Sequence, residues 1–453
     1  MVIMYFIVLF FACLQSLDCH TGHKLENSRF NFFDTDLLRY SAEDRKGNVV
    51  VSPASIKSIL SMLLEGANGT TATEIRNALR LSPDKDEFRE QLNGYLSVLR
   101  TNEPGVTLLN SNAMFLSSTI KNVRKEFLVM LHKVYLSEIR LIDFRQPVPA
   151  ANLINSWVNN NTRGLITNLV EPEHVDPMSE LLLANSLYFK STWQHAFDPS
   201  NTQGSCFHNR GVCKTVAMME LHAELNYAYV DNLRAHALEL PYEGGRYSMI
   251  LLVPHDHDGV FALIRDLPYM SLPQICSIME PNDVRLFMPK FTIDYNEDMA
   301  ETLQAMKITS LFSGTVDLSG MFNGSSPQVN NIFHKVHISV DEEGTVAAAA
   351  SSAMVIPLIE NGVQIRVDRP FVFFIIDNKL GLILFEGKVE EPTPYVPVVP
   401  KYSDIQQGPK ASIPYVPAEP NYSNIQQGPP TRFIVPPQAQ FNSRYHAKGR
   451  FYG

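Results

Sequence analysis

The 453-residue chain sets 38 Lys and Arg against 47 Asp and Glu, a formal net charge of -9. That acidic balance excludes a general nucleic-acid binder, which needs a basic footprint. With 45% hydrophobic and 19% charged residues the composition is globular, and the length allows two or three average domains.

Met1–Cys13 (MVIMYFIVLFFAC) is an apolar run followed by LQSLDC. It reads as a secretory signal with cleavage after Ser16 or Cys19, an uncleaved anchor being the alternative. The sequons at Asn68, Asn160, Asn323 and Asn421 are candidate glycan acceptors and agree with secretion. Of the five cysteines, Cys13 leaves with the signal. Cys206 and Cys213 bracket FHNRGV, a hairpin that a disulfide can close, and Cys276 reads as a buried free thiol. There is no CxxC pair and no HExxH, so no metal or cofactor is implied.

In chain order, helical spacing predicts a first helix over Asn31–Tyr40, then a short strand at Asn48–Val51. Ser52 is a natural N-cap and Pro53 a natural first residue for a helix running to Leu64. Another helix is expected over Thr70–Leu81, a strand over Thr107–Leu116, and helices over Lys121–Tyr135 and Ala150–Asn160. Leu181–Phe189 (LLLANSLYF) is almost wholly apolar, as a central strand must be. His236–Tyr242, Tyr247–Pro254 and Val284–Phe291 read as further strands, Asn296–Met306 as a helix, and Phe371–Val389 as a hairpin.

Between the strand pattern HKVHISV and that hairpin lies VDEEGTVAAAASSA, Val340–Ala353. Ala and Ser build neither a good core nor a conventional turn, but they suit a segment that must enter a packed sheet. Strand side chains alternate between faces, which puts Thr345, Ala347, Ala349, Ser351 and Ala353 on one face, all of them small and uncharged. No proline stands between Gly344 and Ile356, so every N–H is free to join a ladder. An Ala/Ser-rich surface linker is the plainer alternative for this stretch taken alone.

The blocks GNVVVSPASIKSILSMLLEGANGTTATEIRNAL, INSWVNNNTRGLITNLV, EEGTVAAAASSA and RPFVFFIIDNKLGLILFEGKV stand in consistent order between Asn31 and Val389. Together they resemble the serpin family of serine protease inhibitors. The resemblance implies an α+β fold of three β-sheets and about nine helices with an exposed reactive-centre loop. It implies a hinge at Glu343, Gly344, Thr345, Val346, Ala347, Ala348, Ala349 and Ala350. It also implies a hydrogen-bonded cluster of Ser52, Ser55, Asn185 and His334 under the large sheet that controls its opening, and places Trp193 at the top of that sheet. Val346 departs from the pattern, since inhibitory members usually carry Glu there; alternation points it away from the core.

The loop length of typical members, which the resemblance implies, puts the reactive bond at Leu358–Ile359 when counted forward from Gly344 and at Ile359–Glu360 when counted back from Arg369-Pro370. The bait is apolar, and no Lys or Arg occurs between Gly344 and Gln364. The implied partner is therefore a chymotrypsin-like or elastase-like serine protease, held as a covalent acyl-enzyme by a monomeric inhibitor. The other reading within the family is a non-inhibitory binding or carrier protein. A hydrolase is a third: Ser52, His334 and Asn185 can be written as nucleophile, base and orienting amide, although no GxSxG elbow surrounds Ser52.

Lys121, Arg124, Lys125 and Lys133 fall in one predicted helix, a possible glycosaminoglycan site or simply a solvated face. Beyond Val389 the resemblance ends. Pro394–Lys410 recurs at Pro414–Pro430 with a period of 20 residues, and 12 of the 29 prolines follow Glu391. The expected organisation is a signal at 1–19, a serpin domain at 20–390 and a disordered Pro-rich tail at 391–453. No nucleic acid is implied as a partner, and no membrane once the signal is removed.

Overall fold

The Ser52-Pro53 start produces a helix, with the Ser52 side chain accepting from the Ser55 amide at 3.2 Å. Every residue of that helix is buried, so it runs through the middle of the molecule. The computed structural model describes residues 31–397 apart from 44, 83, 100–104, 136, 325 and 346–361. In chain order the elements begin with α1 (Asn31–Ala42), β1 (Val49–Val51), α2 (Pro53–Gly66), α3 (Gly69–Leu79) and α4 (Lys85–Val98). Next come β2 (Thr107–Ser117), α5 (Lys125–Val134), β3 (Glu138–Ile142), α6 (Pro147–Asn161) and β4 (Leu181–Thr192). They are followed by β5 (Gln203–Asn209), β6 (Val212–Val230), β7 (Ala235–Pro241), β8 (Tyr247–Pro254), α7 (Val260–Asp266) and α8 (Leu272–Ser277). Then come β9 (Glu280–Pro289), β10 (Phe291–Asp298), α9 (Ala300–Ala305), β11 (Val329–Val340) and β12 (Gly344–Thr345). β13 (Val363–Arg366), β14 (Phe371–Asp377) and β15 (Leu382–Val389) complete the described set.

These elements give nine α-helices among the described residues, as expected, and two hydrogen-bonded sheets. One sheet runs β10-β11-β4-β2-β3, with β12 attached to β4. The other runs β1-β15-β14-β8-β7-β6-β9-β13, with β5 attached to β6. The three expected sheets join into two ladders because β6 is 19 residues long and serves both halves of the second one. It pairs with β5 over Val212–Met218, with β9 over Met218–Tyr227 and with β7 over Tyr227–Val230.

Two expectations fail at the same place. Val284–Phe291, expected as one strand, divides at Lys290 into β9 and β10, which lie in different sheets. The helix expected over Asn296–Met306 begins only at Ala300, because Asn296–Asp298 continue β10 against β11. Asp298 then ends the strand, accepting from the amides of Ala300 and Ile332. The helix expected from Lys121 begins at Lys125, because Val123 bridges Phe322 and the Arg124 amide bonds to the Met321 carbonyl. Glu391–Pro397, read as the start of the tail, is fastened to the body. The Thr393 amide donates to the Lys290 carbonyl, and the Tyr395 amide to that of Thr215.

Cys206 and Cys213 form the expected disulfide across the β5–β6 turn. Cys276 is buried but is itself disulfide-bonded rather than a free thiol.

Behind α2 lies a charge cluster that no periodicity announces. Lys57 of α2 is 1% exposed and reaches Asp34 of α1 at 2.5 Å. Glu386 of β15 is fully buried close by. Burial, together with the Asp34 charge, holds the Glu386 carboxyl well above the ordinary carboxylate range, only partly offset by Lys57. Burial raises Asp34 to about 6 against the pull of Lys57. A carboxyl that is more basic in the fold than in the unfolded chain contributes stability below the unfolded value, and that contribution is lost as pH rises. Glu386→Gln is therefore expected to match the parent near pH 4. The variant should then become the more stable by ~1.4 kcal/mol per pH unit until the folded-state pKa is passed. Urea unfolding across pH 4–8 checks this, and parallel curves would refute it.

Candidate functional site

The site is built on the seam between β4 and β11, the central parallel pair of the six-stranded sheet. Their register runs from Leu181 opposite Val329 to Tyr188 opposite His337. In this register His334 lies beside Asn185, and Asn185 lies beside Asn112 of β2. Three polar side chains thus form a row across three adjacent strands.

α2 runs beneath that row. The Ser52 amide donates to His334 Nε2 at 3.0 Å, and His334 Nδ1 donates to Asn185 Oδ1 at 2.7 Å. This arrangement fixes the neutral tautomer with the proton on Nδ1. Asn185 Nδ2 in turn donates to Asn112 Oδ1 at 2.6 Å and Asn110 Oδ1 at 3.1 Å. Ser55 Oγ donates to Asn110 Oδ1 at 3.3 Å, and Asn112 Nδ2 to Ser58 Oγ at 3.4 Å. Ser52, Ser55, Asn185 and His334 are each fully buried. Burial alone drives the imidazole down to about 3.

The four expected cluster residues are therefore together. Asn110 and Asn112 complete the network and were missed, although two asparagines spaced two apart in TLLNSNAMFL share a strand face. The same geometry excludes a catalytic triad made from these residues. The His334 Nε2 lone pair is taken by the Ser52 backbone amide rather than facing the Ser52 hydroxyl, and none of the group reaches solvent.

At the upper end of the seam the chain turns back. Past His337 and Tyr188 the two strands no longer pair. A tight turn caps β11: Asp341 Oδ1 accepts from the amides of Glu343 and Gly344, and the Asp341 amide donates to the Gly344 carbonyl. Gly344 and Thr345 then run antiparallel to β4, opposite Thr192 and Ser191. Gly344 sits at φ +150°, and a Cβ there would lie 2.2 Å from the Ser191 carbonyl oxygen, so no other residue fits this entry.

Thr345 is fully buried, and its hydroxyl lies 2.9 Å from the Tyr242 hydroxyl. Tyr242 stacks on Trp193 at 4.5 Å between ring centroids, and burial raises its phenol above the ordinary range. Trp193 Nε1 donates to the Asp341 carbonyl, and its amide donates to that of Glu343. Glu342 is tied to Lys290 at 2.5 Å and to the Thr202 hydroxyl at 2.6 Å. Trp193 is thus at the entrance to the seam, as expected. Of the residues expected as a hinge, Glu343, Gly344 and Thr345 lie around it. Val346, Ala347, Ala348, Ala349 and Ala350, and the reactive-bond residues Leu358 and Ile359, lie outside the described residues.

Of the other expected positions, Asn68, Asn160 and Asn323 are exposed, as glycan attachment requires, and Asn421 lies outside the described residues. Lys121, Arg124, Lys125 and Lys133 are exposed on and before α5. They share that surface with Leu128, Val129 and Val134, at 39%, 52% and 39% exposure. Among the described residues no group of His, Cys, Asp and Glu is arranged to hold a metal ion.

The family model described as Serpin (serine protease inhibitor) matches residues 28–392. The chain is 33% identical to the leukocyte elastase inhibitor of Equus caballus over 375 residues, covering 80% of this chain and 97% of that protein. Among solved structures, Serpin48 of the insect Tenebrio molitor, described as highly specific, matches with a TM-score of 0.73 at 31% identity. That alignment covers 81% of this chain and 99% of the insect protein. Human thyroxine-binding globulin complexed with thyroxine matches with a TM-score of 0.74 at 27% identity, over 81% and 98% of the two chains. Fold, seam and alignment over most of both chains agree: the chain belongs to the serpin family.

Proposed function

We propose that this serpin is a secreted suicide-substrate inhibitor of a chymotrypsin-like or elastase-like serine protease. The observation that carries the reading is the buried rung formed by Gly344 and Thr345 on β4. The hinge has already begun a strand in the sheet it is to enter, at the point where β4 and β11 part.

The mechanism follows from that start. A target protease attacks an apolar residue of the exposed loop, at Leu358–Ile359 or Ile359–Glu360, and forms an acyl-enzyme. The freed hinge then continues downward from Thr345 between β4 and β11, past the His334–Asn185–Asn112 row, carrying the attached protease with it. Roughly a dozen new ladder hydrogen bonds at ~1 kcal/mol each supply ~10 kcal/mol. That is enough to distort a protease which is itself stable by only ~5–15 kcal/mol. Small side chains from Thr345 to Ala353 let the strand enter faster than water deacylates the enzyme.

Likeness to an elastase inhibitor supports an apolar-specific target, and the apolar bait agrees with it. The apolar N-terminus, the exposed sequons and the disulfide between Cys206 and Cys213 support secretion as a glycoprotein. On this reading the inhibitor acts as a monomer and needs no cofactor, and the α5 cations are a subsidiary contact for a sulfated glycosaminoglycan. Likeness to thyroxine-binding globulin favours a second reading, a carrier that keeps the fold without trapping proteases.

Mixing the purified protein with chymotrypsin and with elastase, followed by denaturing gels and mass spectrometry, separates the two. A covalent adduct releasing a peptide that begins at Ile359 or Glu360 is expected. Cleavage without an adduct across a wider panel of proteases would reject inhibition in favour of the carrier.

A further inference from the structure

The segment joining α6 to β4 crosses the sheet face as a strap, and two asparagines hold it. From α6, Asn155 Oδ1 accepts from the amides of Leu169 at 2.8 Å and Val170 at 3.0 Å, while its Nδ2 donates to the Val170 carbonyl at 2.8 Å. From the sheet, Asn296 Nδ2 donates to the Leu169 carbonyl at 2.8 Å.

The two holds lie on opposite sides of the seam. α6 rests on β2 and β4, its Ile154, Trp157 and Val158 sharing a core with Phe115, Leu182 and Ala184. Asn296 belongs to the edge strand β10, which is separated from β4 by β11. The strap therefore spans the line along which β4 and β11 must separate. Beneath it, between residues 165–171 and Asp294, Asn296 and Lys335, is a cavity of about 290 Å³. Across it the Asn296 side chain supplies the hydrogen bond from the strap to β10, while Phe333 of β11 shares the buried apolar cluster of Leu169 and Val170.

We propose that Asn296 is a positioning residue that acts as a release catch for sheet opening. The proposal rests on the insertion reading above. When β10 and β11 move away from β4, the strap must let go of one side. On the α6 side three hydrogen bonds hold it; on the β10–β11 side it has the hydrogen bond from the exposed Asn296 side chain and the apolar cluster that Leu169 and Val170 share with Phe333, which can slide without a directional bond to break. The Asn296 bond breaks first, and its strength enters the barrier to strand entry. One hydrogen bond is worth about a fivefold change in rate.

The test uses the intact protein and a synthetic peptide with the sequence of residues 345–358 (TVAAAASSAMVIPL), which can occupy the seam without any protease. Uptake is followed by native gel shift and by the emission of Trp193, at the entrance. Asn296→Ala should take up the peptide about fivefold faster than the parent, and Asn296→Asp at least as fast, since a carboxylate repels the Leu169 carbonyl. Asn296 is exposed, so both variants should fold, with melting temperatures close to that of the parent. A merely structural asparagine would lower the melting temperature and leave the uptake rate unchanged. If the parent takes up peptide and the variants match its rate, the catch is overturned while insertion stands. If the parent takes up none, the insertion reading fails and the catch fails with it.

Discussion

Thr345→Arg is expected to turn the inhibitor into an ordinary substrate: loop cleavage continues and the covalent adduct disappears. Thr345 is fully buried, with its hydroxyl against Tyr242 and with Trp193 and Phe189 packed on the same tyrosine. A guanidinium stays charged at any working pH and would replace a neutral hydroxyl packed against the Tyr242 ring. Keeping it there unpaired costs several kcal/mol. Raising the barrier to insertion by ~4 kcal/mol slows it about a thousandfold, and deacylation then wins. Thr345→Ser keeps the hydroxyl and the size, and should trap nearly as well as the parent. Both are read from the ratio of adduct to cleaved inhibitor on denaturing gels, with the rate of loop cleavage as control. Undiminished trapping by Thr345→Arg would mean that the hinge does not enter the sheet at this point.

The second large effect concerns His334 and acid. Burial holds the imidazole at about 3 against an ordinary 6.5, so the fold binds no proton there while the unfolded chain does. The stability from the neutral ring is complete above pH 6.5 and is lost as pH falls toward 3, at ~1.4 kcal/mol per unit. Over the whole window the loss is on the order of 5 kcal/mol. His334→Ala at pH 7.5 leaves the Ser52 amide and the Asn185 carbonyl without their partner and opens a cavity, an expected cost of ~3–5 kcal/mol. At pH 4 most of that difference should vanish, because the parent has by then lost its own advantage. Urea unfolding of both proteins at pH 7.5 and 4 decides the matter. A gap of equal size at both values would show that His334 is not the group responsible.

These two residues show how unevenly the site could be read from the chain. The small, proline-free face beginning at Thr345 was visible because strand periodicity is local and each residue's alternation can be counted. So was the Ser52-Pro53 helix start, which depends on adjacent residues. That Thr345 is already a rung on β4 was not visible, since Ser191 and Tyr242 stand 154 and 103 positions away. The hydrogen bond from Ser52 to His334 spans 282 positions. Only the likeness to a known family joined those residues in advance, and it did not extend to Asn110 or Asn112.

By itself, then, the amino-acid order determined the apolar central strand at Leu181–Phe189, the capped helix after Ser52, the C-terminal hairpin and the Cys206–Cys213 closure. Each depends on side-chain pattern or spacing within a few residues. Tertiary structure alone decided that β9 and β10 part at Lys290 into separate sheets, where either side of the break reads locally as strand. It also decided that Lys57, Asp34 and Glu386, three ionisable groups in apolar elements, share one buried space, and that Asn296 of β10 reaches the Leu169 carbonyl. Periodicity reports which face of an element is apolar. It does not report which distant element covers that face, and here the hydrogen-bond partners along the seam come from distant elements.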